Sequence, residues 1–292
     1  MKTSRTLPTL ALVGVLAVTG PGSAAEESAA RKAVRLGWHG ETMPDGLVQG
    51  EVEGEYVWEK DGAVMVYVPP GPFPMGSEEG DADERPVHEV LLDGFYIDKY
   101  EVTWGRWKRS GLPYSEEVGS HFRIPAAPDW GILDDHPIAS VSWRDARAYV
   151  EWAGKRLPTE AQWEKAARGT DGRKYPWGSE PPTPGRAVWK GHPISGESTA
   201  PADCCAAGAS PYGVYNMAGN VYEWCEDVYA GDYYARSPVK NPVNRAEGRY
   251  RVLRGGAFVL EVEDLRSALR YRLLEVDRTG YLGFRSVVPG AE

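Results

Sequence analysis

Helical periodicity in this chain is confined to one short stretch, residues 142–169. Elsewhere 34 glycines and 23 prolines interrupt the sequence every few residues, and both residue types are disfavoured inside helices and central strands. The chain also carries 11 tryptophans, whose side chains bury large apolar areas. These features predict a loop-rich fold with a core built on aromatic side chains rather than on long helices.

Two helices are predicted within that stretch. The first has Ser142 as its N-cap, with Asp145 placed for a capping box, and it ends at Gly154. The second begins after Thr159 and ends at Gly169. Upstream of both helices, an apolar run and an alternating pattern predict strands over residues 63–68 and within residues 88–102.

The N-terminus has the pattern of a secretory signal peptide. Basic Lys2 and Arg5 precede an apolar run over residues 7–18, which is too short to span a bilayer, and small residues follow. We therefore expect residues 1–25 to be a signal peptide and the protein to be periplasmic or secreted; an uncleaved anchor is the alternative. Residues 26–60 are polar and without clear periodicity, and they predict an N-terminal arm or linker.

The formal net charge of −9 gives the protein no electrostatic reason to bind nucleic acid or an anionic membrane surface. We also expect no membrane insertion, because no second apolar stretch is long enough to cross a bilayer.

The cysteines are odd in number. Cys204 and Cys205 are adjacent, and Cys225 is the third. An exported chain can form one disulfide, and a bond between adjacent cysteines strains the peptide between them. We therefore expect Cys225 to pair with one of the other two, and three unpaired thiols are the alternative.

The clearest local signal for metal binding is the stretch YNMAGNVYEW. Asn216 and Glu223 are hard oxygen donors, and Gly219 and Asn220 between them permit a tight turn. Oxygen-only coordination suits Ca²⁺. A turn in which Asn216 and Glu223 bind backbone amides is the equal alternative. No metalloprotease, nucleophile-elbow or phosphate-loop motif occurs in the chain, and we assign no catalytic residue.

Ordered motifs along the chain resemble one family, that of the sulfatase-modifying factor, or formylglycine-generating enzyme (FGE). The resemblance covers residues 63–288 and rests on the motifs FPMGS, HEVLLDGFYIDKYEVT, HPIASVSWRDARAYVEWAGKRLPTEAQWEKAARG, YPWG, YGVYNMAGNVYEW, RVLRGGAF and LGFR. It implies a single α+β domain, taken here as residues 61–292. This domain would be C-type-lectin-like, with little regular secondary structure and with structural calcium.

The resemblance also assigns metal ligands. One family calcium site carries over, with the side chains of Asn216 and Glu223 and the carbonyl groups of Gly219 and Val221 as ligands. The second family site starts at an asparagine, and this chain has Ala187 there, so we expect that site to be lost or altered.

The family's formylglycine generators hold copper with two cysteines, five residues apart, between the Gly-Gly pair and the Gly-Phe-Arg motif. An ungapped alignment places Leu265 and Arg270 at these positions, and no cysteine follows Cys225. Cu(I) prefers soft thiolate ligands. Copper is therefore not expected, and formylglycine generation is disfavoured.

Three functions stay open on the sequence. The first is binding of an acidic small molecule or protein by the segment Phe258–Tyr281, where arginines offer planar ion pairing, although about half of its arginines should pair internally. The candidate ligand-binding residues are Glu261, Arg266, Arg270 and Arg272. The second is a periplasmic oxidoreductase without the copper cysteines, as the resemblance to siderophore-maturation relatives suggests. The third is a structural envelope protein.

Overall fold

The computed structural model describes residues 35–117, 125–193 and 197–291. The expected signal peptide, residues 1–25, lies outside the described residues. Within them the protein is mostly β-sheet, with few helices. Their helices include none that is long and apolar enough to span a bilayer.

The described residues form three α-helices, and each begins at a side-chain cap. They are α1 (Trp104–Ser110), α2 (Trp143–Ala153) and α3 (Glu160–Arg168). The capping boxes of α2, at Ser142, and of α3, at Thr159, are both present, so the two predicted helices are confirmed. Helix α1 was not predicted. It is only seven residues long and begins just after the stretch, residues 88–102, whose alternation predicted strands.

The strands form three sheets. The five-stranded sheet has the order β1-β2-β3-β6-β11, the four-stranded sheet has the order β10-β7-β8-β9, and β4 pairs with β5. The strand bounds are β1 (Leu47–Gln49), β2 (Glu55–Trp58), β3 (Ala63–Val68), β4 (Gly71–Met75), β5 (His88–Leu92), β6 (Phe95–Asp98), β7 (Tyr222–Val228), β8 (Tyr250–Arg254), β9 (Tyr271–Leu274), β10 (Leu282–Gly283) and β11 (Val287–Pro289).

Two strands of the five-stranded sheet lie within the stretch that the sequence indicated as an arm. Strand β2 pairs antiparallel with both β1 and β3, and Tyr56 and Trp58 of β2 are buried. Trp58 also donates a hydrogen bond from its indole to the carbonyl of Ala153 at 2.7 Å. The linker interpretation is therefore wrong for residues 47–58, because large aromatic side chains there pack into the domain.

Four buried charges connect the elements near the end of α2. Arg106 contacts Asp61 at 2.6 Å and Asp98 at 3.1 Å, and Lys155 contacts the same two carboxylates at 2.7 and 3.0 Å. Two positive and two negative groups balance in this cluster. It ties α1 and Lys155, which follows the C-cap of α2, to strand β6.

Candidate functional site

The segment 251–288 contains the positions at which the family's generators hold copper. Strand β8 enters it, and Gly255 and Gly256 turn the chain with φ of 95° and 74°. A Cβ atom on Gly256 would lie 2.8 Å from the carbonyl oxygen of Asp264, so only glycine fits this close approach. The turn fixes where residues 257–270 run against helix α3.

The two copper positions of the ungapped alignment are filled by buried structural side chains. Leu265 is fully buried in an apolar cluster with Tyr175, Ala187 and Ala218. Arg270 donates to both oxygens of Glu160 and, from Nη1, to the carbonyl oxygens of Asp83 and Ala230. Neither residue offers the sulfur that Cu(I) requires. Among the described residues, no group of three or more His, Cys, Asp or Glu side chains is placed to hold a metal ion. The residues present therefore do not fit a copper centre.

A buried network of ion pairs lies behind Arg270. Arg254 contacts Glu160 at 3.1 Å and Glu164 at 2.6 Å, and Arg168 contacts Glu164 at 2.9 Å. Arg254 also donates to the carbonyl oxygens of Ser267 and Ala268 at 2.6 and 3.2 Å. Arginines from β8 and the 266–270 segment thus converge on two glutamates of α3. The network ties the segment to helix α3.

A groove of about 460 Å³ runs along the outer side of this segment. Arg266 and Ala268 form part of its wall, and both lie between the two alignment positions. Arg168, Lys174 and the loop residues Glu78 and Glu79 also line it. The groove therefore has both positive and negative groups within reach of one bound molecule.

The four predicted ligand-binding residues occupy different surroundings. Arg266 forms two 2.7 Å hydrogen bonds to the buried Glu84 and lines the groove. Arg272 is exposed and lies over the ring of Tyr229. Glu261 is also exposed and pairs with Lys190 at 2.8 Å.

Arg270 requires a correction as a ligand-binding residue. Its side chain is 1% exposed and its guanidinium bonds within the protein, so it is not available to a ligand. Local sequence patterns could not reveal this ion pair, because Glu160 is 110 positions away along the chain.

The predicted calcium ligands surround a buried polar cluster. Asn216 is in the left-handed region at φ 55°, and Gly219 follows at φ 88°. Asn216 donates its amide to the carboxylate of Glu101 at 3.0 Å, and Asn220 donates to the same carboxylate at 2.9 Å. Glu101 is fully buried, and the sequence analysis missed it because it lies over 100 residues away from the turn.

Glu223 faces an arginine inside this cluster. Arg285 donates to both of its carboxylate oxygens at 2.7 Å, and the indole of Trp163 donates to one of them at 2.9 Å. When both are ionised, Glu101 and Glu223 place two negative charges against the one charge of Arg285. Burial raises the pKa of Glu101 to about 7. The negative charge of Glu223 also acts to raise this pKa, and the positive charge of Arg285 acts to lower it.

The cluster contains carboxylate and amide oxygens, the type of donor that calcium prefers. Among the described residues, however, no group of three or more acidic, His or Cys side chains is placed to hold a metal ion. The carboxylate of Glu223 would share its oxygens between Arg285 and the ion. At the second family site Ala187 is fully buried and supplies no side-chain oxygen.

The cysteines do not pair as expected. Cys225 is fully buried in an apolar cluster that includes Val214 and Met217, whereas Cys204 and Cys205 pack against a different cluster with Val188 and Phe258. All three are unpaired thiols in the structure, so the expected pairing of Cys225 with an adjacent cysteine is not formed.

The fold and the site together define a β-rich domain in which a groove with charges of both signs lies beside a segment held by buried arginine–glutamate pairs. A family model described as the sulfatase-modifying factor enzyme 1-like domain matches residues 53–289. The chain is 37% identical to the formylglycine-generating enzyme of Streptomyces coelicolor over 277 residues, which cover 76% of this chain and 88% of that enzyme. The chain belongs to the FGE-sulfatase family.

Two further comparisons extend this picture. The chain is 36% identical to serine/threonine-protein kinase pkn1 of Chlamydia caviae; the match covers 77% of this chain but only 39% of that protein. The solved structure of PvdO from Pseudomonas aeruginosa superposes with a TM-score of 0.68 at 27% identity, covering 80% of this chain and 96% of PvdO. The similarity thus extends over most of this chain.

Proposed function

We propose that this protein is a ligand-binding member of the FGE-sulfatase family that does not generate formylglycine through a two-cysteine copper centre. The proposal rests on the two residues that stand at the copper positions, neither of which is a cysteine. Leu265 is packed into a core and Arg270 is bound to Glu160, while an open groove remains beside them. A frame that has an open groove and lacks the metal ligands suits binding better than copper-dependent oxidation.

The charges in the groove suggest the class of ligand. Lys174 is exposed at one part of the wall, and Arg266, whose side chain is 18% exposed, lines the same groove. Glu78 and Glu79 are exposed on the loop that contributes the rest of the wall. A peptide-like molecule with a carboxylate toward Lys174 and a cationic group toward the glutamates would match both.

The remaining expectations belong to the same proposal. We propose a C-type-lectin-like scaffold stabilised by Ca²⁺ at Asn216, Gly219, Val221 and Glu223, with Glu101 supplying further negative charge. The ion would have a structural role, since it links the turn after Asn216 to strand β7. We further propose that the protein is exported, on the basis of its N-terminal sequence.

A thermal-shift experiment with short peptides tests the binding proposal. Three hexapeptide sets of equal length are compared: acidic, basic, and with opposite charges at the two ends. We expect the oppositely charged set to raise the Tm most, because ligand binding stabilises the folded state by mass action. Lys174→Glu should abolish the rise.

The matched control is Lys240→Glu, an exposed lysine paired with Asp93 outside the groove. It should leave the peptide response unchanged. An equal response of Lys174→Glu and the parent protein, or no response to any set, would count against the groove as a binding site.

A further inference from the structure

Cys204 and Cys205 bring their sulfur atoms into direct contact, with Sγ atoms 2.8 Å apart. Side chains of consecutive residues point to opposite sides in an extended chain. Here Cys205 has φ 60° and ψ 40°, in the left-handed region that residues with a Cβ atom seldom occupy. This backbone turn places both thiols on the same side.

The surrounding backbone is held by hydrogen bonds on both sides of the pair. The amide of Cys204 donates to the carbonyl of Pro201 at 3.0 Å, and the amide of Gly208 donates to the carbonyl of Cys205 at 2.8 Å. The side chain of Asn216 donates to the carbonyl of Ala202 at 2.9 Å. The close approach of the thiols is therefore built into the local fold.

The pair also lies next to the candidate binding segment, Phe258–Tyr281. Both cysteines pack against the cluster that contains Phe258 and is contacted by Tyr281, the two ends of the candidate binding segment. Both are partly accessible, whereas Cys225 is fully buried in another cluster. A soluble disulfide can therefore reach Cys204 and Cys205 but not Cys225.

We propose that Cys204 and Cys205 form a redox-active dithiol site that exchanges with low-molecular-weight disulfides. One thiol attacks the disulfide and releases one thiol, and the second cysteine then displaces the other. The two cysteines lose two protons and two electrons and gain one S–S bond. The small disulfide takes up the same two protons and electrons and becomes two thiols.

The adjacency of the two residues makes this couple reversible. Consecutive α-carbons lie about 3.8 Å apart, whereas disulfides ordinarily join α-carbons about 4.4–6.8 Å apart. A bond at this position is strained, and strained disulfides are the more easily reduced ones. The site is therefore suited to cycling between two states rather than to stabilising the fold permanently.

The experiment is a redox titration of the full mature chain in glutathione buffers of increasing oxidised fraction. Samples are quenched in acid, unfolded, and blocked with N-ethylmaleimide before mass spectrometry. We expect a species with one blocked thiol to replace the species with three, and to revert in reduced glutathione. Cleavage at Tyr212 and Tyr215 separates the pair from Cys225. The oxidised fragment should carry no N-ethylmaleimide and weigh about 2 Da less than the same fragment with two unblocked thiols, the mass of two hydrogens, whereas the reduced fragment should carry two blocked thiols.

Cysteine variants identify which residues form the redox couple. Cys225→Ala should give the same titration curve, and Cys204→Ala and Cys205→Ala should each remove the two-electron step. The fragment mass from the parent protein decides the question even if a variant folds poorly. Three blocked thiols at every ratio, a stable glutathione adduct in place of the internal bond, or a pair that stays oxidised in fully reduced glutathione would overturn the proposal.

Discussion

Arg270 binds both carboxylate oxygens of Glu160, through Nε at 2.7 Å and Nη2 at 2.9 Å, inside the protein. The contact joins the segment after the Gly255-Gly256 turn to the first turn of helix α3. The same glutamate also accepts a hydrogen bond from Arg254 at 3.1 Å. The position that aligns with a copper-binding cysteine therefore serves to fix the backbone beside the groove.

Arg270→Ala should destabilise the fold. It leaves part of the Glu160 carboxylate buried without its closest partner, and breaking a buried ion pair from one side costs about 3 kcal/mol. Urea denaturation followed by tryptophan fluorescence measures the change. Arg272→Ala is the control, because Arg272 is exposed over Tyr229 and its removal should cost less than about 1 kcal/mol. Equal effects of the two variants would mean that the buried pair does not hold the segment.

Glu101→Gln should remove most of the stabilisation by calcium. Glu223 is a poor choice for this test because its loss would leave the buried Arg285 unpaired. Glutamine at 101 keeps a polar side chain and removes the uncompensated negative charge. We expect EDTA to lower the Tm of the parent protein and added Ca²⁺ to restore it, with little response in the variant.

The control for the calcium experiment is Glu263→Gln, an exposed carboxylate in the 258–281 segment. It should respond to EDTA as the parent protein does. If Glu101→Gln and the parent lose the same Tm on chelation, the ion does not bind at this cluster.

Lys165 should make stability rise with pH above neutrality. Its ammonium is buried, where it donates to the carbonyl oxygens of Pro69 at 2.8 Å and Gly71 at 2.9 Å, and burial lowers its pKa to about 8. Between this value and the ordinary 10.5 the unfolded chain binds more protons than the folded one, so the free energy of unfolding increases with pH. The increase from pH 7 to 9.5 should be roughly 2 kcal/mol.

Lys165→Met isolates this contribution. The variant keeps the aliphatic stem and lacks the titrating group. The parent and variant are unfolded in urea at several pH values, and the difference between them should grow in favour of the parent as pH rises. A difference that stays constant over this range would show that Lys165 retains its proton in the folded protein.

If the protein is exported, the recovered chain should lack the signal peptide. Mass spectrometry of protein recovered from a secreting host should find cleavage after Ala24 or Ala25, because the N-terminal region combines basic, apolar and small residues in the order that signal peptidase requires. Recovery of a chain that retains Met1 from the exported fraction would contradict this prediction.

The sequence predicted those parts of the fold that depend on neighbours along the chain. Helices α2 and α3 were predictable because Ser142 and Thr159 cap them locally. Strand β2 was not, since its aromatic residues are buried by partners such as Ala153 that lie 95 positions away. Without knowledge of these distant partners, the polar stretch that contains β2 resembles a linker.

In the candidate site, too, only the residues that form a local motif could be predicted from the sequence. The turn from Asn216 to Glu223 was visible as a motif, but Glu101 and Arg285 join it from distant parts of the chain and carry no local signal. The sequence likewise indicated that about half of the arginines would pair internally, but it could not identify Arg270 as one of them. Long-range ion pairs depend on the packing of elements, which local patterns do not specify.

The most direct test of the central claim is an assay for formylglycine formation. The reduced protein is incubated with Cu(I), oxygen and a cysteine-containing peptide of the sulfatase type, in parallel with the Streptomyces coelicolor enzyme, and the peptide mass is followed. Since Leu265 and Arg270 supply no thiolate to copper, we expect the peptide to keep its cysteine while the reference enzyme converts it. Replacement of the peptide sulfur by an aldehyde oxygen in the presence of this protein would show that it generates formylglycine after all.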